Sequence, residues 1–469
     1  MDSKTGTILD KIRHNTGTIG EHILVDYSQK KIGTTVLPYF NVSMLTFAYA
    51  LNSNVLLIGE PGFGKTTAAK VMGAAYGGYP FDLFESAQMQ GHPEQTVESL
   101  VGRLDFSRLA KEEKVIWQLG LYLPLIILDE INRLPGGKQD VLLNGVDTGR
   151  FSYLNDTFFQ EKMPFFATAN NPDDGNHIII PPMADRFAMS MEMGDQGPYA
   201  LAKIGNARRN IREYLCDREL TGKILSILND NATEVPEKVK ELSAIRKKFR
   251  EKLSNPKGAE LQMLVEDEMA HLRGAIAEVP FSAEAHVFLQ CIYTELNYGG
   301  KRGRKRSCDS QTEDTHTKSL ACSCTKNAFS PRGYDALEKF SQAIALYMGS
   351  PSVEKEHIRA IAPYVLQHRM IFTEDFASQH EDKDIVPAGE AYYNAPTFAG
   401  YLSDQLVGIV DTNYMKSVHD EIALVKDMLL HPERLTDKQR KEAEAKFGKP
   451  DKQDHPLLKA LIYELKRRK

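Results

Sequence analysis

The chain has 469 residues, 42% of them apolar, which is enough for about three ordinary domains with a sizeable buried core. Its 58 basic and 63 acidic residues give a net charge of −5, which argues against a surface that binds nucleic acid throughout. Five cysteines in a chain of this length argue against a disulfide framework. The N-terminus has no apolar signal region, and the longest apolar run, near residues 119–128, is too short to span a bilayer. We therefore expect a soluble, cytoplasmic protein without a membrane span.

The first predicted elements lie in residues 1–52. Residues 1–40 form a lead-in segment, with a strand expected at residues 22–25. A helix is predicted over residues 41–52, with Asn41 or Ser43 as its N-cap. This helix leads into the next motif.

A glycine-rich segment follows the apolar run Val55–Ile58, which reads as a buried strand. The segment consists of Gly59, Glu60, Pro61, Gly62, Phe63, Gly64, Lys65 and Thr66, and Thr67 continues it. Its pattern, Gly-x-x-x-x-Gly-Lys-Thr between a strand and a helix, predicts a phosphate-binding loop, because glycines let several N–H groups face one anion. Lys65 supplies a charge for the β- and γ-phosphates, and the Thr66 hydroxyl is a ligand for magnesium. The helix is expected over residues 66–75.

Two acids end the next buried strand. A short strand is expected first at residues 81–84, followed by a long polar insertion. The apolar residues 125–128 then lead into Asp129 and Glu130, as a central parallel strand ends at an active site. Asp129 is predicted to hold the magnesium shell and Glu130 to orient and polarise the attacking water. The alternative is a strand that ends in a solvated turn.

A third apolar run, residues 163–169, ends in Asn170 and Asn171 before Pro172. An amide can both donate and accept a hydrogen bond, so Asn170 is predicted to lie between the γ-phosphate and the water. For Asn171 we favour a role in turn formation before the proline.

The second half of the chain is predicted to be helical. Residues 230–279 carry apolar stripes typical of a pair of helices, and residues 281–284 form a capped helix start. The basic run at residues 301–306 is interpreted as a solvated loop, with nucleic-acid contact or a localisation signal as alternatives. A zinc site is hypothesised at Cys308, His316, Cys322 and Cys324, against thiols in a mobile loop. Further apolar stripes beyond residue 372 predict helices that either pack over the preceding helices or bind a neighbouring protein.

These motifs together resemble the MoxR family of AAA+ ATPases over residues 40–200 and 280–375. Residues 128–135 resemble its Walker B motif, with Asn132 and Arg133 as the family's continuation. Ala167-Thr168-Ala169-Asn170 resembles sensor 1, Asp185-Arg186-Phe187 the arginine-finger segment, and Ser330-Pro331-Arg332 sensor 2. Residues 86–117 stand in the place of the family's helix-2 insert, and residues 361–370 resemble the end of its lid.

The resemblance implies an α/β fold, a P-loop NTPase (AAA+) αβα core with a parallel sheet, then an all-helical lid and a helical C-terminal extension. The implied boundaries are 1–40 for the lead-in, 41–200 for the core, 201–280 for a helical insertion, 281–375 for the lid with an inserted loop at 299–327, and 376–469 for the extension. The helix pair is expected to project between core and lid.

The resemblance also implies the activity and partners. The expected protein binds ATP and Mg²⁺, hydrolyses ATP as a hexameric ring, and remodels or activates a protein substrate together with a von Willebrand factor A domain partner. Arg186 is implied as an arginine finger acting on the neighbouring subunit, with Arg133 or Arg150 as alternatives, and Arg332 reports the γ-phosphate to the lid. A nucleic-acid-dependent translocase is the alternative that we do not favour.

Overall fold

The computed structural model describes residues 2–94, 96, 100–104, 115–159, 161–170, 179–194, 197–230, 233, 235–255, 259–298, 319–381, 397–417, 419–430, 433, 435–447 and 455–467. The described residues form two compact units, one up to Ala275 and the other from Ile276 onward. Among them, no helix is long and apolar enough to cross a membrane. The domain boundaries given above stay a prediction.

The first unit is built on a five-stranded parallel sheet. Its strands are β3 (Val55–Ile58), β4 (Met89–Gln90), β7 (Ile126–Asp129), β10 (Phe165–Ala169) and β11 (Met189–Glu192), in the spatial order β11-β3-β10-β7-β4. Every residue of β10, the middle strand, is buried, as a parallel strand covered on both faces requires. The carboxyl ends of β3, β7 and β10 therefore meet at one edge of the sheet.

Helices and short hairpins surround this sheet. The helices are α1 (Ser3–Thr18), α2 (Phe40–Ala50), α3 (Lys65–Met72), α4 (Phe81–Ala87), α5 (Gly136–Thr148), α6 (Pro181–Ala184), α7 (Gly197–Asn210), α8 (Arg218–Asn229), α9 (Val235–Leu253) and α10 (Glu266–Ala277). Single π-helical turns follow α1, α3 and α7 at Ile19–Ile23, Gly73–Gly77 and Ile211–Leu215, and 3-10 turns lie at Leu119–Tyr122 and Ile131–Arg133. Antiparallel hairpins join β1 (Gln29–Ile32) to β2 (Thr35–Pro38), β5 (Gly102–Leu104) to β6 (Val115–Trp117), and β8 (Arg150–Tyr153) to β9 (Asp156–Phe159).

Three local predictions were wrong. Residues 22–25 are not a strand, because the π-helical turn Ile19–Ile23 precedes Val25, which has a positive φ of 55°. Residues 81–84 begin α4 instead of a strand, since Pro80 stands before a first turn whose apolar side chains are buried. The α2 helix begins at Phe40, after Tyr39 in the left-handed region, so neither Asn41 nor Ser43 caps it.

The predicted helix pair exists as α9 and α10, but it packs on the first unit instead of projecting. Both polar groups of the buried Asn15 side chain, in α1, bond the backbone of Gln262, at 2.9 and 2.8 Å. Lys11 pairs with Glu268 at 2.7 Å. At the other side Arg246 donates to the Gly77 carbonyl, directly after the helix that starts at Lys65. The pair thus joins the N-terminal helix to the core.

The second unit is helical in its described residues. Its helices are α11 (Ala283–Leu296), α12 (Pro331–Met348), α13 (Lys355–Leu366), α14 (Glu374–Ser378), α15 (Phe398–Ser417), α16 (His419–Leu430), α17 (Asp437–Lys446) and α18 (Pro456–Arg467), with a 3-10 turn at Ala321–Cys324. The α11 helix has the predicted start, capped by the Ser282 hydroxyl. It is also the centre of the unit, since α13, α15, α16 and α18 all pack against it. The C-terminal helices therefore cover the helices that precede them.

Candidate functional site

The glycine-rich loop after β3 adopts a backbone conformation that depends on its glycines. Gly59, Gly62 and Gly64 have φ values of 147°, 90° and 80°, in the region that only glycine enters readily. A side chain at Gly59 would also collide with the carbonyl of Met193, which directly follows the neighbouring strand β11. Gly64 stands immediately before α3, so the backbone N–H groups of the loop and of the first helical turn are available to one anion.

Lys65 and Thr66 lie at the start of α3 and face the carboxyl ends of β7 and β10. The Lys65 ammonium donates to the Gly59 and Glu60 carbonyls at 2.7 and 2.9 Å and to Asn170 Oδ1 at 2.9 Å. Burial lowers the pKa of Lys65, and the nearby Asp129 and Glu130 carboxylates oppose part of that shift. The Thr66 hydroxyl donates to Asp129 Oδ1 at 2.6 Å, so the two predicted magnesium ligands are adjacent.

Asn170 connects the phosphate loop to Glu130. Its Nδ2 donates to Glu130 Oε1 at 2.8 Å while its Oδ1 accepts from Lys65. The asparagine is 9% exposed and its backbone carbonyl accepts from Asn132 at 3.0 Å, so its position is fixed. The structure therefore brings together Lys65, Thr66, Asp129, Glu130 and Asn170, as the spacing of the three strand ends led us to expect; Asn171 lies outside the described residues.

Thr168 was missed by the sequence reasoning. Its hydroxyl donates to Asp129 Oδ1 at 2.6 Å and accepts from the Glu130 backbone N–H at 2.9 Å. Thr168, which lies on the neighbouring strand β10, thereby fixes the positions of both acids. The available signal was its place two residues before Asn170, which puts both side chains on one face of β10.

Glu130 has an unusual backbone and two further neighbours. Its φ is 54°, which is uncommon for a residue other than glycine. Gln90 Nε2, on β4, lies 3.3 Å from Oε2, and Arg133 Nε lies 3.0 Å from the same oxygen. Gly91 allows this approach of β4, since a side chain there would collide with the Glu130 carbonyl.

A cavity of about 420 Å³ opens beside the phosphate loop. It is bounded by Gly62, Gly64 and Thr67 of the loop and by apolar side chains from the segment before β1 and from α2 and α7. These apolar residues are Ile23, Leu24, Val25, Val42, Leu45, Ala200, Leu201, Ile204, Ala207 and, in the turn directly after α7, Ile211. Asp26 also lines it; burial raises the pKa of this carboxyl, and N–H groups of Ser28 and Val42 donate to it at 3.0 and 3.1 Å. The cavity has the size and the mostly apolar lining of a small-molecule site.

Arg186 lies after α6 and contacts residues of its own chain. Its Nε is 2.9 Å from Asp147 Oδ2, and Nη1 donates to the Pro182 carbonyl at 2.8 Å. The alternative arginines have other surroundings, because Arg133 pairs with Glu130 and the Arg150 guanidinium lies 4.9 Å from the Phe159 ring centre. Arg332 is exposed in the first turn of α12, in the second unit.

The hypothesised zinc site receives no support. Cys322 and Cys324 are buried in the 3-10 turn Ala321–Cys324. Cys308 and His316, like residues 301–306, lie outside the described residues. Within the described part of the chain, no three histidine, cysteine or acidic side chains are grouped as metal ligands.

Comparisons with known proteins agree with this geometry. Residues 54–187 match the AAA domain (dynein-related subfamily), and residues 317–388 match the AAA lid domain. The fold is similar to the crystal structure of a "putative ATPase" from Cytophaga hutchinsonii, with a TM-score of 0.54 and 16% identity over 81% of this chain and 92% of that chain. A comparison with curated proteins gives no match.

The chain has a P-loop NTPase fold. Its AAA domain carries the five-stranded parallel sheet, and a helical AAA lid domain and a mostly helical C-terminal region follow. The predicted fold class is confirmed. Within this class, the first domain is similar to the dynein-related subfamily of AAA domains.

Proposed function

We propose that this chain hydrolyses ATP and acts, in the manner of MoxR-type proteins, as a remodelling ATPase on a partner protein. The observation that carries the proposal is the continuous set of contacts from Lys65 through Asn170 to Glu130 beside the Thr66–Asp129 pair. It contains a cation for phosphate, oxygen ligands for a hard metal ion, and a carboxylate for water.

The residues present fit Mg²⁺. Thr66 and Asp129 offer two oxygen atoms 2.6 Å apart at the edge of the phosphate loop, and magnesium prefers a few protein oxygens with water and phosphate completing its shell. When bound, the ion supplies positive charge that offsets charge on the transferred phosphoryl group. Thr168 keeps the Asp129 carboxylate turned toward Thr66.

Groups of the chain itself bind the phosphates and the base and orient the attacking water. The loop N–H groups and Lys65 bind the phosphates, and the cavity beside Thr67 receives the base. Glu130 accepts hydrogen bonds through Oε1, so it can orient a water and take up its proton. Asn170, which contacts both Lys65 and Glu130, is suited to relate the phosphate position to the water position.

The proposed assembly is a hexameric ring. An arginine placed for a neighbour's γ-phosphate needs a neighbour, and we propose Arg186 for this role and Arg332 as the residue that reports the γ-phosphate to the lid. The von Willebrand factor A domain partner and the protein substrate belong to the proposal through the MoxR resemblance.

The experiment that tests the function is release of phosphate from ATP by the full chain, with and without Mg²⁺. Phosphate release that disappears with chelator and in the Glu130→Gln variant supports the proposal, whereas a native chain without turnover under these conditions contradicts it. Copurification with Glu130→Gln, which is expected to retain nucleotide, identifies the partner. Strong stimulation by DNA that weakens steeply with added salt would instead favour the translocase.

A further inference from the structure

Arg133 lies against the carboxylate that we assign to water activation. Glu130 precedes the 3-10 turn Ile131–Arg133, and its carbonyl accepts from the Arg133 N–H at 2.9 Å, which brings Arg133 back beside Glu130. We propose that Arg133 is a positioning residue for hydrolysis: it holds one oxygen of Glu130 so that the other faces the phosphate site. The inference rests on the proposed ATPase activity.

The two oxygens of Glu130 have different surroundings. Oε1 accepts from Asn170 Nδ2 at 2.8 Å, and Asn170 also accepts from Lys65, so Oε1 is the oxygen on the phosphate side. Oε2 is the oxygen next to Arg133 Nε, at 3.0 Å, in an ion pair without hydrogen-bond geometry, and it accepts from Gln90 Nε2 at 3.3 Å. A water that Glu130 activates must therefore approach Oε1.

The backbone of Glu130 is held independently of its side chain. Its N–H donates to Thr168 Oγ1 at 2.9 Å, and its carbonyl accepts from the Arg133 N–H at 2.9 Å. The remaining freedom lies in the side-chain torsions, which Asn170 restrains through a hydrogen bond to Oε1 and Arg133 through the charge of its guanidinium beside Oε2. Phosphate oxygens compete with Asn170 for Lys65, so the Asn170 restraint depends on nucleotide, whereas the Arg133 restraint does not.

The test measures turnover, nucleotide affinity and thermal stability of Arg133→Gln and Arg133→Lys. Arg13→Gln is the matched control, because Arg13 pairs with Asp10 three residues away at 2.9 Å and its side chain is 41% exposed, against 40% for Arg133. We expect kcat to fall about tenfold in Arg133→Gln, since small misplacement of a catalytic group is costly. The nucleotide dissociation constant and the melting temperature should match those of the control. Arg133→Lys should restore part of the rate, because an ammonium keeps the charge but not the planar geometry.

A second comparison separates positioning from other roles. In a Glu130→Gln background, Arg133→Gln should produce no further loss of residual turnover, because the carboxylate on which it acts is absent. The same fractional loss in both backgrounds would overturn the inference, as would a loss of affinity or stability that accounts for the loss of rate. Recovery of activity on mixing Arg133→Gln with Lys65→Ala subunits would also overturn it, since Arg133 would then serve a neighbouring site.

Failure of the inference differs from failure of the proposed function. A native chain that hydrolyses ATP while Arg133→Gln behaves like Arg13→Gln removes the role of Arg133 alone. A native chain that hydrolyses no ATP removes the proposed function, and this inference with it.

Discussion

Lys65 and Glu130 contact opposite ends of the Asn170 amide, but they act on different partners. Lys65→Ala should abolish nucleotide binding at concentrations that just saturate the native chain, a loss of affinity of about 100-fold or more, because it removes charged hydrogen bonds to phosphate. Glu130→Gln should bind nucleotide normally and lose turnover, because it lacks only the group that takes up a proton. Titration with a fluorescent nucleotide and a phosphate-release assay measure the two effects.

The control for Lys65→Ala lies on the same helix. Lys70 has a side chain that is 11% exposed, and it pairs with Glu85 at 3.7 Å instead of facing the phosphate loop. Lys70→Ala should therefore leave nucleotide affinity unchanged. Near-normal turnover of Glu130→Gln would contradict the assignment of Glu130.

Arg186 has to leave Asp147 if it is to reach a neighbour's nucleotide. Arg186→Ala should lower turnover by about 10³- to 10⁵-fold, the contribution of an arginine finger, and leave the nucleotide affinity of the isolated subunit intact. Asp147→Asn keeps the guanidinium but removes its opposing charge, so it should not lower turnover. Steady-state kinetics of both variants distinguish a finger from an arginine that only stabilises α6, for which the two variants would behave alike.

Mixing two variant subunits tests whether Arg186 acts on a neighbouring subunit. Arg186→Ala and Lys65→Ala subunits are each expected to be inactive, yet in a mixed ring an intact nucleotide site can lie next to an intact arginine. If mixed rings are shown to form and no activity returns, the arginine finger is a residue other than Arg186.

Among the site residues, the sequence predicts those that belong to a single loop or to the end of a single strand. The glycine-rich loop, Asp129, Glu130 and Asn170 follow from local patterns, because strands of a parallel sheet bring their carboxyl ends together. The place of Thr168 two residues before Asn170 predicts only that the two side chains point the same way. The contacts of Thr168 and Gln90 with the acids could not be predicted, since they depend on which strands pair and in which register. The pairing of Arg186 with Asp147 depends likewise on the packing of α6 against α5.

At the level of secondary structure, Glu295 of α11 joins elements of the second unit. Its fully buried carboxylate accepts from His455 Nε2 at 2.8 Å, from the Ala321 N–H at 3.0 Å and from Asn413 Nδ2 at 3.2 Å. The His455 proton lies on Nε2, because Nδ1 accepts from the Leu457 N–H. Glu295 thus links α11 to α15, to α18 and to the turn at Ala321.

Glu295→Ala should lower the free energy of unfolding of the second unit by about 3–5 kcal/mol, because it leaves buried polar partners uncompensated. Asp335→Ala is the control, since Asp335 pairs with Lys339 at the surface and such pairs contribute about 0–1 kcal/mol. Urea unfolding followed by circular dichroism compares the two. Equal losses would mean that the Glu295 contacts add no more than a surface pair.

Helical stripes were predicted more reliably than short strands. The periodic apolar positions of α9, α10, α15, α16 and α18 identify helices, because a period of 3.6 residues persists over two or more turns. Residues 22–25 and 81–84 were misassigned, since a four-residue segment with three apolar residues fits a strand and a helix equally well. The apolar stripes of α9 and α10 do not predict which elements these helices pack against, because an apolar face does not specify its partner.

For the whole molecule, the ring proposal predicts a dependence on protein concentration. If Arg186 completes a neighbour's site, specific ATPase activity should fall when the protein is diluted below the concentration at which rings form. Phosphate release per subunit, compared with light scattering over the same dilution series, measures this. Constant specific activity in a solution of monomers would contradict the ring.

The bond between Asn15 and Gln262 also bears on how the chain is made. These residues are 247 positions apart, so a ribosome that adds about 5–20 residues per second takes roughly 12–50 s to supply the second after the first. During that time α1 has emerged, but the segment that covers its Lys11 and Asn15 side chains has not been synthesised. The first unit therefore completes its N-terminal layer only late in translation, and nascent chains stopped before residue 260 should leave α1 open to proteases or chaperones.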